Sequence, residues 1–231
     1  MKVIHRSGNE MTVRQFIWNV TSVGKSCLTT VRHFGIFALA VVLLCEVWTI
    51  DMVKPFPDKK YNIIYADPPW TYNNPKNNDP RMGGITYPTM SLENIKSLPV
   101  DGLADKDCAL FMWVTMPKLQ EGLEVIKAWG FKYTTCAFTW VKLNPKNDNI
   151  YSGLGHWTNG NAELCLFAKK GKPKRVAKNV KQIVMAHREG HSEKPTEVRD
   201  RIVALMGDLP RIELFARQKV DGWDYWGDEV D

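Results

Sequence analysis

Apolar runs and polar interruptions alternate from Tyr61 onward in a pattern that predicts short strands. Residues 62–66 form an apolar run that is typical of a buried strand, and this strand ends at Asp67. Residues 108–114 predict a second strand, residues 133–141 a β-rich stretch, and residues 162–168 and 211–215 two further strands.

Helical patterns lie between these strands. Ser91 is placed to cap a short helix that reaches Leu98. A second helix is predicted from apolar residues at helical spacing, with Gly130 as its end, and a third ends at Gly207; their apolar positions are Leu119, Leu123, Ile126 and Trp129, then Val198, Ile202, Val203 and Leu205. Alternating strands and helices predict an α/β fold, a mostly parallel sheet with helices on both faces.

The first 51 residues differ in character from the rest. Their apolar run, residues 34–45, is shorter than the about 20 residues that a membrane span needs, and it has neither the position nor the cleavage site of a secretory signal. We therefore expect no membrane segment, and residues 1–51 are an appendage of unknown role in which an apolar helix is one hypothesis. The main domain is predicted to span residues 52–231, and Met52 as its natural start is a second hypothesis.

Charge and cysteine content give only weak information about the partner and the cellular setting of this protein. Thirty-one Lys and Arg against 25 Asp and Glu leave a net charge of +6, which suits a polyanionic partner but is also common in ordinary proteins. Five scattered cysteines, without the spacing of a metal or redox site, favour a reducing cytoplasmic setting and no bound metal.

The segment Asp67-Pro68-Pro69-Trp70 follows the first strand, where open α/β sheets bind their ligands. The carboxylate of Asp67 and the carbonyl of Pro68 could accept the two hydrogens of adenine's amino group, whose lone pair is otherwise delocalised into the ring. The prolines hold that carbonyl rigidly, and Trp70 offers a face on which an unstacked base can lie. The alternative is a rigid turn without chemistry.

Seven separated segments, in one order, carry a family resemblance. They are residues 67–70, 87–90, 111–115, 129–131, 140–142, 155–157 and 211–217, the last reading Arg-Ile-Glu-Leu-Phe-Ala-Arg. The series resembles the MT-A70 family of adenine N(6)-methyltransferases over about residues 61–229. The resemblance implies an enzyme with a Rossmann-like methyltransferase fold, S-adenosylmethionine as methyl donor, and a permuted motif order with the catalytic loop first.

The resemblance also implies roles for individual residues. Lys142 would pair with the methionine carboxylate of the donor, Arg217 would contact its ribose, and Asp228 and Glu229 would lie at that ribose as well. Positions on the substrate side are Tyr87, His156, Trp157 and Lys194. Lys142 and Arg217 could instead be solvated charges at strand ends. Glu163 is either a buried partner of a donor or a pocket residue.

A cation-rich segment follows the strand that ends near Ala168. It contains Lys169, Lys170, Lys172, Lys174, Arg175, Lys178 and Lys181, and we expect it to contact nucleic-acid phosphates beside the catalytic loop, a solvated loop being the alternative. Phosphate contacts carry no sequence information, so the recognised sequence is left open. Residues 71–85, rich in Asn, Pro and Gly, are predicted to form a mobile loop over the site.

The predicted partner is therefore nucleic acid. DNA is preferred because the chain is compact, and RNA is the alternative. A non-catalytic nucleic-acid-binding subunit of the same fold is a third hypothesis. Because residues 61–229 are taken up by the catalytic fold, either short loops or a second subunit would select the target.

Overall fold

The computed structural model describes residues 2–4, 10–12, 54–72, 88–153, 157–188, 193–228 and 230. The chain divides into two compact units, residues 1–53 and 54–231. In the first unit, strand β1 (Lys2–Ile4) pairs antiparallel with β2 (Glu10–Thr12). The apolar run 34–45 lies outside the described residues, so the predicted role of residues 1–51 and the boundary at Met52 stay predictions.

The second unit alternates strands and helices as the hydrophobic pattern predicts. In chain order its elements are β3 (Tyr61–Ala66), α1 (Leu92–Ser97), β4 (Ala104–Val114), α2 (Leu119–Ala128), β5 (Lys132–Leu143), β6 (Ala162–Lys170), β7 (Ile183–His187), α3 (Glu197–Met206), β8 (Arg211–Leu214) and β9 (Asp224–Trp226). Short 3₁₀ turns at Val100–Gly102 and Met116–Lys118 precede β4 and α2.

The seven strands described in this unit form one sheet in the order β7-β5-β6-β4-β3-β8-β9. Strand β3 runs parallel to β4 and β8, β8 runs parallel to β9, and β5 runs parallel to β7. Only β6 is reversed, since it pairs antiparallel with both β4 and β5. The expected mostly parallel α/β sheet is therefore confirmed, with one inserted strand of opposite direction.

The core lies on both faces of the sheet. Along β3, Ile64 packs with the residues of α1 and α2, whereas Ile63 and Tyr65 pack with those of α3. Successive side chains of a strand point to opposite faces, so a strand covered on both sides must be apolar throughout. The continuous apolar run that predicted β3 is explained by this double coverage.

Helix α2 packs by a different stripe from the one that its leucines suggested. Leu123 is 37% exposed, and the buried positions are Gly122, Val125 and Ile126. A Cβ at residue 122 would lie 2.5 Å from Cγ1 of Val114, so a glycine here allows the helix to approach β4 closely. Helix α1 begins at the residue that the sequence predicted as its cap, since Oγ of Ser91 accepts the N–H of Asn94 at 3.2 Å.

The long strands are central and the short ones are at the edges. Strands β4 and β5 have 11 and 12 residues, whereas the edge strands β7 and β9 have five and three. Neither edge strand was predicted, because so few residues carry little periodicity. No helix among the described residues is long and apolar enough to cross a membrane.

Candidate active site

Asp67 follows the last residue of β3, at the edge of the sheet where parallel strands β4 and β8 also end. Ala66 is in register with Met112 of β4 and with Leu214 of β8. The side chain of Asp67 is 20% exposed, so it reaches solvent from a mostly enclosed position. The fold therefore places this carboxylate where ligands of open α/β sheets bind.

The residues after Asp67 are held by backbone and indole hydrogen bonds. The N–H of Trp70 donates to the carbonyl of Pro68 at 2.9 Å, and the N–H of Met90 donates to the carbonyl of Pro69 at 2.8 Å. A carbonyl oxygen has two lone pairs, so Pro68 keeps one acceptor position for another donor. Trp70 is only 5% exposed and its indole N–H donates to the carbonyl of Trp113 at 3.2 Å.

Four alternating charges extend from Asp67 along the edge of the sheet. Nζ of Lys194 lies 2.6 Å from Oδ2 of Asp67 and 3.5 Å from Oε2 of Glu163. Nζ of Lys142 lies 2.5 Å from the other oxygen of Glu163. Lys194, 8% exposed, also lies 5.8 Å from the centre of the Trp113 ring. Both alternatives for Glu163 hold, since it pairs with two donors and borders the cavity described below.

The protonation of the two carboxyl groups is shifted in opposite directions. Burial raises the pKa of Asp67 above its ordinary value of 3.8; the ammonium of Lys194 opposes this rise, and the negative charge of Glu163 adds to it. Burial acts on Glu163 in the same direction, but the ammonium groups of Lys194 and Lys142 outweigh it and lower the pKa of Glu163. Lys194 therefore supports the ionised form of both carboxyl groups.

A further pair of opposite charges, separate from the four at the edge of the sheet, lies in the core. Nε and one terminal nitrogen of Arg199 contact the two oxygens of Glu213 at 2.7 and 2.8 Å, and both residues are buried. Arg199 belongs to α3 and Glu213 to β8, so the pair fixes the helix against the strand that ends beside Asp67.

A small polar cavity of about 30 Å³ opens at Asp67. This volume is far below the roughly 300–1,000 Å³ of ligand pockets, so the side chains around it must move apart before a base can enter. It is lined by Asp67, Pro68, Trp70, Tyr72, Trp113, Val114, Thr115, Glu163 and Lys194. The predicted residues Asp67, Pro68, Trp70 and Lys194 are thus brought together around one space.

Tyr72, Trp113 and Thr115 border this cavity but were not predicted as site residues. The hydroxyl groups of Tyr72 and Thr115 are 2.7 Å apart, and the indole N–H of Trp113 donates to the hydroxyl of Tyr65 at 2.6 Å. A usable signal existed, since Trp113 and Thr115 come at the end of the strand that neighbours β3.

On the other side of Asp67, the ends of β8 and β9 carry predicted donor-binding residues. Arg217 is half-buried and its charge lowers the pKa of Asp67, whereas Asp228 is exposed. Phe215 adopts a left-handed φ of 61°, which is uncommon for a residue with a side chain. A Cβ at Gly227 would lie 2.4 Å from the carbonyl oxygen of Ala216. The two strand ends thus pack closely and leave Arg217 and Asp228 at one edge.

Lys142 lies away from this group. Its strand, β5, is separated from β8 by β6, β4 and β3, and strand spacing of about 4.8 Å puts the two roughly 19 Å apart. In this structure Lys142 pairs with Glu163, and Lys194 is the ammonium beside Asp67. The predicted contact of Lys142 with the donor stays a prediction.

The cation-rich segment is not beside the catalytic loop, and that expectation was wrong. Because β6 is antiparallel, its first residues lie near Asp67 and its last residues leave at the opposite edge: Leu164 is opposite Val114, and Lys170 is opposite Cys108. Six residues at about 3.3 Å each place Lys170 some 20 Å from the catalytic edge. Lys172, Lys174 and Arg175 follow it there, and their contact with substrate stays a prediction.

The other predicted substrate-side residues are less informative. The side chain of Trp157 is 98% exposed. Tyr87 and His156 lie outside the described residues, as do residues 73–85 of the predicted mobile loop and Glu229, which was predicted to lie at the donor ribose. Within the described ranges, no group of three or more His, Cys, Asp and Glu is arranged to hold a metal ion.

Comparisons with known proteins place the same part of the chain in context. Residues 61–229 match the family model MT-A70. The chain is 38% identical over 202 residues to the Type II methyltransferase M.MunI of Mycoplasma sp, covering 78% of this chain and 83% of the relative.

Two longer relatives match the same region. Identity is 31% over 191 residues to the N(6)-adenosine-methyltransferase MT-A70-like protein of Drosophila melanogaster, covering 81% of this chain and 29% of the relative. It is 31% over 176 residues to the N(6)-adenosine-methyltransferase catalytic subunit METTL3 of Homo sapiens, covering 74% and 28%. The chain thus spans less than a third of these two proteins.

Proposed function

Because this chain belongs to the MT-A70 family, we propose that it transfers a methyl group from S-adenosylmethionine to the exocyclic amino nitrogen of adenine in DNA. The observation that carries this proposal is the partly exposed carboxylate of Asp67, held by Lys194 at 2.6 Å in a polar cavity at the carboxyl end of β3.

The residues of the loop orient the amino group. Asp67 accepts one of its hydrogens and the carbonyl of Pro68 accepts the other through its remaining lone pair, so the nitrogen becomes pyramidal and directs its own lone pair outward. The negative charge of Asp67 also stabilises the positive charge that grows on the nitrogen. Lys194 keeps Asp67 ionised and fixed in orientation, because it is itself enclosed by Glu163 and Trp113.

The base enters the cavity out of its stack. Trp70 lines the wall of the cavity, but most of its ring is used in the core and Trp113 is fully buried, so the stacking contact falls mainly to the half-buried Tyr72. Stacking of a base on aromatic side chains contributes about 1–3 kcal/mol. The amino group of a stacked and paired adenine cannot reach Asp67, so duplex DNA would have to release its target first.

The ends of β8 and β9 would hold the methyl donor, which supplies a methyl group on a sulfonium sulfur. Arg217 donates hydrogen bonds toward ribose or carboxylate oxygens, and Asp228 accepts from ribose hydroxyl groups. The close packing at Gly227, where a Cβ would meet backbone, holds the ends of β8 and β9 against each other at this edge.

DNA is the proposed substrate because of how the similarities are distributed. The Type II methyltransferase is matched over 83% of its length, whereas the adenosine enzymes are matched over less than a third of theirs. The identity to the adenosine enzymes makes RNA the second candidate. A partner subunit for target recognition is part of the proposal in either case.

Methyl transfer from labelled S-adenosylmethionine to DNA and RNA of matched sequence tests this function. We expect N(6)-methyladenine in DNA, and a fall in kcat of about 10²–10³ for Asp67→Asn, as when one positioned polar group is removed from an active site. Asp58→Asn, at an exposed aspartate, is the matched control. Labelling of RNA alone would overturn the assignment of DNA as substrate, and methylcytosine as the product would overturn the assignment of adenine. Full activity of Asp67→Asn would overturn the mechanism.

A further inference from the structure

Seven cations and no acids occupy residues 169–181, here termed the basic loop. Six of the seven are exposed, and the remaining one, Lys170, pairs with Asp101 at 2.5 Å. Within the described part of the chain, no carboxylate lies at ion-pair distance from the other six. Protein surfaces usually intersperse both signs of charge, so a run of one sign repels itself and is costly without a polyanionic partner.

The backbone of the basic loop is fixed to the fold at several points. The N–H of Val176 donates to the carbonyl of Leu205 at 2.8 Å, and the N–H of Lys172 donates to Oδ1 of Asp107 at 2.6 Å. Farther along, a guanidinium nitrogen of Arg201 donates to the carbonyl of Lys181 at 2.8 Å. A ligand therefore meets cations that are already arranged, and binding loses little backbone entropy.

The basic loop forms a track that leads back toward the catalytic edge. It begins about 20 Å from that edge at Lys170, as the register of β6 shows. It ends at Lys181, two residues before β7; the first residue of β7, Ile183, is opposite Thr139, which is level through Leu164 with Val114 at the catalytic edge. Lys181 therefore lies near the level of that edge along the strands, but four strand spacings of about 4.8 Å separate β7 from β3 and put Lys181 roughly 19 Å from Asp67. The cations thus lie too far away to touch the methylated base or its own phosphates.

We propose that the basic loop is a second contact site of this protein for nucleic acid, which binds the substrate backbone about six nucleotides from the target adenine. The spacing follows from about 20 Å divided by about 3.4 Å per nucleotide along a duplex strand. The site binds phosphates and contributes affinity without sequence choice. It acts on substrates in which the nucleic acid on one side of the target adenine, here termed the arm, extends past the catalytic edge. This inference rests on the proposed function and adds a substrate-length requirement to it.

The test uses the full chain and a series of substrates whose arms on each side of the target adenine grow from two to 14 nucleotides. For the wild type, we expect KM to fall in a step when one arm exceeds about six nucleotides. In the variant Lys172→Ser/Lys174→Ser/Arg175→Ser/Lys178→Ser, the step should disappear, with KM for the longest substrate at least about tenfold higher. The slope of log affinity against log salt should fall by up to about 0.9 per lost phosphate contact.

Two controls make the result specific. The variant Lys172→Arg/Lys174→Arg/Lys178→Arg keeps the charges and should keep the step. Melting temperature and the Kd for S-adenosylmethionine report whether the serine variant is folded. Parallel binding to polyglutamate and to anionic lipid vesicles tests other polyanions; an effect of the serine variant on these alone would overturn the inference.

The outcomes also separate this inference from the proposed function. A wild type that methylates neither nucleic acid, even with long arms, overturns the function itself. A wild type that methylates its substrate with a KM independent of arm length overturns only the basic-loop site. An equal loss for the serine variant on short and long substrates also overturns it, because a contact about 20 Å from Asp67 cannot act on a two-nucleotide arm.

Discussion

At Asp67 two influences act on one carboxyl group: the enclosed position favours the protonated form, and the ammonium of Lys194 favours the ionised form. An ionised Asp67 is the better acceptor for an amino hydrogen, so activity should decline as pH falls through its pKa. Since that pKa is raised, the decline should begin above the range of an ordinary aspartate.

Replacement of Lys194 by Met tests this balance at the scale of a single residue. Burial and the charge of Glu163 both raise the pKa of Asp67, and the ammonium of Lys194 lowers it. Because Lys194→Met removes this ammonium, the pKa of Asp67 should rise further. We expect the acidic limb of the kcat/KM profile to move to higher pH, and Lys194→Arg to retain a limb near that of the wild type. An unchanged acidic limb in Lys194→Met would show that this lysine does not control the protonation of Asp67.

At the scale of elements, the local pattern predicted which segments form strands and helices, but not how they are joined. Strands β3, β4, β5, β6 and β8 and the three helices described in the second unit were predicted, because packing against the core imposes apolar runs or helical spacing on their sequences. The reversed direction of β6 has no such signal, since an antiparallel and a parallel strand show the same apolar run when both faces are covered. That one direction places the lysines after β6 far from Asp67.

In the candidate site, too, the residues of motifs were predicted but the contacts between elements were not. Asp67, Pro68 and Lys194 were predicted from motifs and converge on the cavity. The pairing of Glu163 with two lysines could not be predicted, because it depends on which strand lies beside which. The sequence therefore did not predict contacts between elements that are far apart along the chain.

The buried pair Arg199–Glu213 joins α3 to β8, and its disruption should affect the whole second unit. Arg199→Met leaves a buried carboxyl group without its partner, so we expect the free energy of unfolding to fall by about 3–5 kcal/mol. Urea denaturation measures this change. The double variant Arg199→Met/Glu213→Leu should be more stable than Arg199→Met, since it removes the uncompensated charge as well; equal or lower stability would contradict this account.

The contact between the ends of β8 and β9 can be tested with a single methyl group. Gly227→Ala places a Cβ against backbone atoms of Ala216, which cannot move aside as a flexible side chain would. We expect a loss of about 1–3 kcal/mol of stability and weaker binding of S-adenosylmethionine by calorimetry. Gly102→Ala is the matched control, because no heavy atom lies within 4 Å of the added methyl group. Similar behaviour of the two variants would rule out the proposed close packing.

For the whole molecule, the division at residue 53 suggests a test of the first unit. A chain of residues 52–231 retains Phe56, whose ring packs 4.6 Å from that of Trp226, and Lys54, whose carbonyl accepts the indole N–H of Trp226 at 2.7 Å. We therefore expect this shorter chain to fold and to methylate with the kcat of the full chain. A melting curve and the methyl-transfer assay decide it, and loss of either property would assign residues 1–51 a direct part in the enzyme.

The lengths of the outermost strands have a consequence at high protein concentration. An edge strand presents unpaired N–H and C=O groups that can recruit a strand of another molecule and begin aggregation. Here β7 and β9 offer only five and three residues for such pairing, while the 11- and 12-residue strands are shielded in the interior of the sheet. Even though Ile183 and Met185 of β7 are exposed apolar residues, a second molecule would find too short a template to extend the sheet.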